Sequence, residues 1–299
     1  MTERIAVVGA GLAGLVAASR LKAAGCAVTV FEKSRGLGGR LATRRNDRGS
    51  FDHGAPVVNC EAWQLAPLEA RAACVRWGDA GHVGLPGMSG LVRPLAEGLD
   101  IRSGTEVAGL DVTPEGVRLR LGEGPDAGPF ARVLLAVPVE QARRLAADLP
   151  GAAGFGAAAM APVWTLMAAF PARPDLPDLM RPGGAVALVV RDAAKPNRSG
   201  ETWVLHASHG WTRERLELPH EAVLPMLLAE FEDLAQGRLP RPDHVAAHRW
   251  RYGLTDRALG APVLTLAKGA VLAGGDWTLG ARAEHAWLSG QAMADAVLA

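Results

Sequence analysis

Short β-branched apolar runs open and close this chain, with mixed patterns between them. Arg4-Ile5-Ala6-Val7-Val8 reads as a buried strand, followed at once by Gly9-Ala10-Gly11-Leu12-Ala13-Gly14 and a helical spacing through Ala24. Ala27-Val28-Thr29-Val30-Phe31 predicts a second strand ending on Glu32, so a strand, helix and strand unit is nearly complete by position 32. Further along, alternation over Asp111 to Leu121 predicts a hairpin, and Val133 to Pro138 a buried strand stopped by proline. Segments 184–190 and 202–208 add strands, and Glu221 to Gln236 carries helical spacing. Gly269 to Asp276 reads as strand then turn, and Arg282 to Leu298 as a final helix.

The stretch Gly151 to Ala172 holds no charged residue, which raises the question of a membrane span. Its Ala and Gly content, Pro162, Pro171 and the β-like run Val163 to Phe170 argue instead for a loop feeding a buried strand. No internal repeat is visible. Because the last strand and helix belong with the opening unit, a discontinuous nucleotide-binding domain is expected over 1–55, 96–148 and 262–299, with 56–95 and 149–261 forming a substrate domain.

Composition narrows the partners. The 299 residues carry 32 Lys+Arg against 31 Asp+Glu, a net charge of +1 that gives no electrostatic claim on nucleic acid. At 49% hydrophobic and 21% charged, the chain can bury a large core. Three cysteines, Cys26, Cys60 and Cys74, show no metal-type spacing, and no apolar leader precedes Arg4, so a reduced, cytoplasmic setting is expected with no membrane partner.

The chemistry starts with the glycines. Gly9, Gly11 and Gly14 allow a sharp turn, close approach of backbone to a pyrophosphate and tight helix packing, while Leu12 and Ala13 open the helix with unpaired amides and its positive dipole end. Glu32, eighteen residues after Gly14, is placed for a ribose. Lys33 to Thr43 then adds Gly38-Gly39-Arg40, a second cradle that a longer dinucleotide, FAD, needs and NAD does not.

These segments, with Gly275-Asp276 before the last helix, resemble the flavin-containing amine oxidase superfamily. Phe51 to Ala55, Pro86 to Ser89, Arg191 to Pro196, Trp203 to Ser208, His248 to Tyr252 and Gly275 to Trp277 resemble its bacterial renalase-like proteins. The resemblance implies an α/β fold: a two-domain flavoprotein with a doubly wound, Rossmann-like FAD domain and a mixed-sheet substrate domain. It implies noncovalent FAD, and oxidation of isomeric dihydronicotinamide dinucleotides with molecular oxygen as acceptor. It further implies Glu32 on the adenosine ribose, Arg40 at the pyrophosphate, Val107 near adenine and Asp276 on the ribityl or phosphate region. His53, Gly54 and Ala55 would approach the flavin, as would the helix start at Arg282 and Ala283.

The chain departs from renalases at Pro56-Val57-Val58-Asn59-Cys60, where the family has Gln and an aromatic, and the stretch to Gly84 is short. Candidates for the substrate pocket are Trp203, His206, Tyr252 and Trp277, with Trp277 expected beside the flavin and Arg249 or Arg251 available for a phosphate. Tyr252 is the only tyrosine, so a paired-tyrosine cage is impossible. His206 and His209 lack a shared face and a third ligand, so no metal is expected. Two other functions stay open: oxidation of an amine or another small carbon–nitrogen substrate, and a non-catalytic binding protein of the same fold, as in the related GDP-dissociation inhibitors.

Overall fold

The structure, a computed structural model, describes residues 3–299; the first two residues of the expected 1–55 segment lie outside it. In chain order, the first elements are β1 (Arg4–Val8), α1 (Leu12–Ala23), β2 (Ala27–Glu32), β3 (Arg44–Asn46), β4 (Gly49–Phe51) and α2 (Ala62–Glu69). There follow β5 (Cys74–Trp77), β6 (Gly81–Gly84), α3 (Arg93–Ala96), β7 (Asp100–Ser103), β8 (Val107–Thr113), β9 (Gly116–Leu121), β10 (Ala127–Phe130), β11 (Arg132–Leu135) and α4 (Val139–Leu145). The middle of the chain gives β12 (Ala159–Ala169), β13 (Leu179–Met180), β14 (Val186–Arg191), β15 (Thr202–Ala207), α5 (His209–Glu214) and α6 (His220–Leu234). Last come β16 (His244–Arg257), β17 (Leu264–Leu266), β18 (Val271–Ala273) and α7 (Ala283–Leu298).

One six-stranded sheet has the order β17-β18-β11-β1-β2-β7 and is parallel except for edge strand β17. Its central strands are apolar on both faces, as a sheet covered on both sides requires. Ile5 and Val7 pack under α1 and α7, whereas Ala6 and Val8 face a second core with Phe130, Phe155 and Trp277. A three-stranded sheet, β10-β9-β8, lies over that second core.

The other large sheet, β13-β14-β15-β12-β16, is antiparallel. The uncharged stretch became a 3-10 turn over Ala152–Ala157 and then β12, the strand between β15 and β16. No described helix is long and apolar enough to cross a membrane. On one face of this sheet α6 seals a core of Trp164, Trp203, Leu205 and Phe231.

The fourteen-residue β16 was not among the predicted elements, although its His-Arg-Trp-Arg-Tyr segment drew notice. It is an edge strand paired only with β12. Half-buried, it carries polar side chains through most of its length, so no apolar alternation betrays it.

Candidate functional site

The ends of β1, β2 and β11 and the inner face of the antiparallel sheet open on one cleft of about 1590 Å³. Gly9 takes a φ of +103°, a conformation side chains rarely adopt, and its amide donates to Phe31 O at 2.8 Å. A Cβ at Gly14 would run into Gly9 O, so Gly14 serves packing and does not reach the cleft. Gly11 is different: a Cβ there would meet nothing within 4 Å, because it faces the cleft. Gly11 also caps α1, and no side chain caps the helix. The first-turn amides of Leu12 and Ala13 therefore offer their positive end to an anion in the cleft.

Glu32 closes β2 as a largely buried carboxylate. One oxygen accepts from Ala10 N at 2.8 Å, and the other from Ser34 N at 2.8 Å and Ser34 Oγ at 2.5 Å. It ties the glycine turn to the segment entering the second cradle. There Gly38 N donates to Ala10 O at 2.9 Å, and Gly39 stands against Gly11. Arg40 closes this cradle, with both guanidinium ends on Asp276 at 2.8 and 2.5 Å and one on Gly253 O at 3.1 Å. Burial works against the Arg40 charge, but the Asp276 carboxylate outweighs it and holds the pKa above the ordinary value.

A second helix start reaches the same cleft. No side chain caps α7, and Arg282 and Ala283 line the cleft beside Gly275 and Asp276. Lys33, Gly38, Gly39, Gly54, Ala55 and Val107 line it as well. Most residues expected to hold a dinucleotide thus share one surface. His53 does not line it. Its ring stacks on Trp250 at 5.3 Å, and its carbonyl accepts from the Trp250 indole at 2.9 Å.

Two substrate-pocket expectations need correction. Trp277 is fully buried, packs near Phe155 and donates from its indole to Val137 O at 3.1 Å. Trp203 is fully buried against Phe231 on the far face of the antiparallel sheet and donates to Glu201 at 2.8 Å. Neither lines the cleft: in both, apolar burial of a large ring outweighed placement beside a glycine turn or on a candidate strand. His206 and Tyr252 do line it.

Sequence reasoning passed over His248, which lines the cleft with Trp250. Its ring lies edge-on to His53 at 4.9 Å and to Trp250 at 4.4 Å. His53, His206 and His248 are all depressed to about 4, in each case chiefly by burial. At neutral pH the trio is uncharged. Alternation in the middle of β16 was the available signal, since it sends 248 and 250 to one face before the pairing with β12 shifts register.

Arg249 and Arg251 also line the cleft but are engaged. Arg251 pairs with both carboxylate oxygens of Glu217 at 2.7 Å, and Arg249 donates to Leu216 O at 2.5 Å. Among the described residues no group of three or more His, Cys, Asp or Glu could hold a metal ion. His209, the partner once weighed for His206, starts α5 and contacts Pro162 O.

Comparison with known proteins agrees with this geometry. Residues 7–66 match the NAD(P)-binding Rossmann-like domain, and residues 68–298 match the flavin containing amine oxidoreductase model. Over 54 residues, 18% of this chain, the sequence is 52% identical to the 4,4'-diapophytoene desaturase (4,4'-diaponeurosporene-forming) of Staphylococcus haemolyticus (strain JCSC1435). The corresponding enzyme of Staphylococcus aureus (strain Newman) is 46% identical over 55 residues, also 18% of this chain. Each match spans 11% of the relative's length.

Among solved structures, a protoporphyrinogen oxidase-like protein from Exiguobacterium sp. 255-15 aligns over 99% of both chains with TM-score 0.75 and 15% identity. Putrescine oxidase bound to putrescine aligns over 100% of this chain and 99% of its own, with TM-score 0.73 and 14% identity. Both similarities concern the fold. The family model spans most of the chain, from the last turn of α2 through α7, and the protein belongs to the flavin containing amine oxidoreductase family.

Proposed function

We propose that this protein is a renalase-like oxidoreductase that holds FAD noncovalently, takes a hydride from a dihydronicotinamide-type substrate and passes the electrons to oxygen. One observation carries the substrate class: the wall that β12, β14, β15 and β16 contribute to the cleft has no carboxylate. It presents His206, His248, Trp250 and Tyr252, with Arg249 and Arg251 at its rim. Asp276, near Gly253, is already neutralised by Arg40. A cationic amine would lose its hydration there without gaining a counter-charge, whereas a neutral or anionic ring would not. The lone tyrosine also rules out a paired-tyrosine cage for an amine.

The residues present fit FAD. Gly11 leaves its side of the cradle open, two uncapped helices aim amides at the cleft, and Glu32 is a buried carboxylate with lone pairs beyond its three bonds. On this reading Gly9, Gly11, Leu12, Ala13, Gly38, Gly39 and Arg40 hold the pyrophosphate, with Gly14 packing α1 behind them. Glu32 and Lys33 hold the adenosine ribose, and Val107 lies by the adenine. Gly54, Ala55, Gly275, Asp276, Arg282 and Ala283 serve the flavin half, with His53 behind them. Bound FAD would accept the hydride and return two electrons to oxygen as hydrogen peroxide.

The chain's own share is binding and orientation. Losing hydride makes a dihydronicotinamide aromatic without releasing a proton, so no residue need act as a base, which suits three histidines kept neutral. His206 and Tyr252 orient the ring, and His248 and Trp250, packed against His53 behind them, form the dry floor beside them. Segments 1–55, 96–148 and 262–299 make the cofactor domain and 149–261 the substrate domain; 56–95, expected with the substrate domain, buries Leu65, Cys74, Val83 and Leu91 in the core shared by α1 and α7. The three free cysteines fit a reducing cytoplasm.

Aerobic turnover tests this reading. Borohydride-reduced NAD, which contains the 2- and 6-dihydro isomers, should be oxidised to NAD with one hydrogen peroxide per molecule, while putrescine and benzylamine should give none. Peroxide from the amines and none from any dihydronicotinamide overturns it in favour of an amine oxidase. No turnover of either by the FAD-loaded protein favours a non-catalytic binding role.

A further inference from the structure

Beneath the cleft lies a set of four charged side chains that the chemistry above does not use. Asp52, Asp192, Lys195 and Arg198 all have side chains with no exposure to solvent. Lys195 Nζ lies 3.0 Å from Asp52 and in closer contact with Asp192; Arg198 reaches Asp52 at 2.7 Å. The two carboxylates balance the two cations. Burial resists the charge on Asp52, but Lys195 and Arg198 outweigh it and hold its pKa low. Burial, with the neighbouring Asp52 charge, pushes the Asp192 carboxyl up to about 6 against the pull of Lys195.

The set joins distant segments. Asp52 follows β4 and leads directly into Gly54 and Ala55 on the cleft wall, whereas Asp192 to Arg198 is the loop between β14 and β15, the strands bearing Leu188 and His206. Asp52 also accepts from Thr43 Oγ1 at 2.7 Å and Met88 N at 3.1 Å, and its own amide donates to Asp192 at 2.6 Å. Arg198 spans to Pro86 O at 2.7 Å and Gly84 O at 3.1 Å. At the other end of the wall segment, Ala55 N donates to Arg40 O at 2.7 Å, and a Cβ on Gly54 would strike that same oxygen.

We propose that Lys195 is a positioning residue: held between Asp52 and Asp192, it fixes the Asp52 to Ala55 segment as a wall of the cleft and locks that wall to the antiparallel sheet. Stability alone is a poor reason for such a device, since buried ion pairs replaced by apolar groups of similar volume often cost nothing. A wall that must keep its place against a flat ligand is a better one, because small displacements there cost binding and rate. This inference depends on the flavin family and not on the substrate proposed above.

The test uses the FAD-loaded protein and no substrate. Lys195→Met alone leaves an unbalanced buried carboxylate and should destabilise the fold. Lys195→Met with Asp192→Asn restores charge balance through the remaining Asp52–Arg198 pair, and its thermal midpoint should recover most of the loss. In this double variant the amides of Asp52 and Ala55 should exchange with deuterium about 10-fold or more faster than in the parent while β12 is unchanged. Its FAD should bind about 10-fold more weakly, with an altered visible circular dichroism. A double variant that regains stability together with parental exchange, affinity and dichroism overturns the proposal. Should it fail to fold, the parent decides: Asp52 and Ala55 amides protected as strongly as those of β12 support the lock, and amides exchanging like an open loop refute it.

Discussion

Arg40 and Asp276, 236 positions apart in sequence, meet in a two-point ion pair at 2.8 and 2.5 Å. Thr255 also donates to the carboxylate at 3.1 Å. The second glycine cradle is thereby fastened to the turn before α7 and to β16 at once. Asp276→Asn should leave the Arg40 guanidinium short of its counter-charge. A loss of about 1.5 to 3 kcal/mol in stability, with weaker FAD retention, is expected from charge-assisted bonds of this kind. Denaturant unfolding and FAD titration measure both, and an unchanged variant would show that the pair is incidental.

Gly11 and Gly14 should respond oppositely to the same substitution. At Gly14 the new methyl group meets Gly9 O, so Gly14→Ala should disturb the turn and lower stability. At Gly11 the φ is −78° and the space is open, so Gly11→Ala should fold with an unchanged thermal midpoint. Its methyl group enters the cleft where backbone is meant to approach the ligand, and FAD affinity should fall about 10-fold or more. Equal FAD affinity in Gly11→Ala and the parent would mean that the cradle does not hold the pyrophosphate.

Much of this was legible in the sequence because local chemistry and position coincide. The first strand, the glycine turn and Glu32 lie within 32 consecutive residues, and each forms where the pattern puts it. The final helix was equally plain, predicted from Arg282 and observed from Ala283. What failed was the side-chain direction of large aromatics. Trp277 follows a cleft-lining aspartate, yet its ring turns into the core behind the six-stranded sheet, and Trp203 sits one position out of phase with the His206 face. Two residues of opposite parity on a strand face opposite sides, and the run 202–208 does not say which side holds the helix. The buried set around Lys195 was illegible for another reason: its members come from the end of β4 and from a loop 140 residues later, and only folding makes them neighbours.

The neutral histidines give stability a definite pH dependence. His53, His206 and His248 titrate at about 4 in the fold against an ordinary value of 6.5, so between these values the unfolded chain binds protons that the folded one refuses. Their contribution is whole above about pH 6.5 and is lost as pH falls towards 4. Asp192, raised to about 6, takes up a proton on the folded side and opposes them. Three against one leaves a net loss on acidification, at about 1.4 kcal/mol per pH unit for each uncompensated proton. Unfolding free energy followed from pH 7 to 5 should fall, and His206→Asn should flatten the slope. A flat or rising profile in the parent would contradict the buried, neutral state of these rings.

The central claim is that the cleft delivers a hydride from a neutral or anionic reduced ring and not from a cationic amine. Anaerobic mixing of the FAD-loaded protein with separate dihydronicotinamide isomers, followed at the flavin's visible absorption, tests it most directly. Rapid bleaching by the 2- or 6-dihydro isomers, slow bleaching by ordinary 4-dihydro NADH and none by putrescine or benzylamine is the predicted result. Bleaching by the amines while every dihydronicotinamide isomer leaves the spectrum unchanged would contradict it.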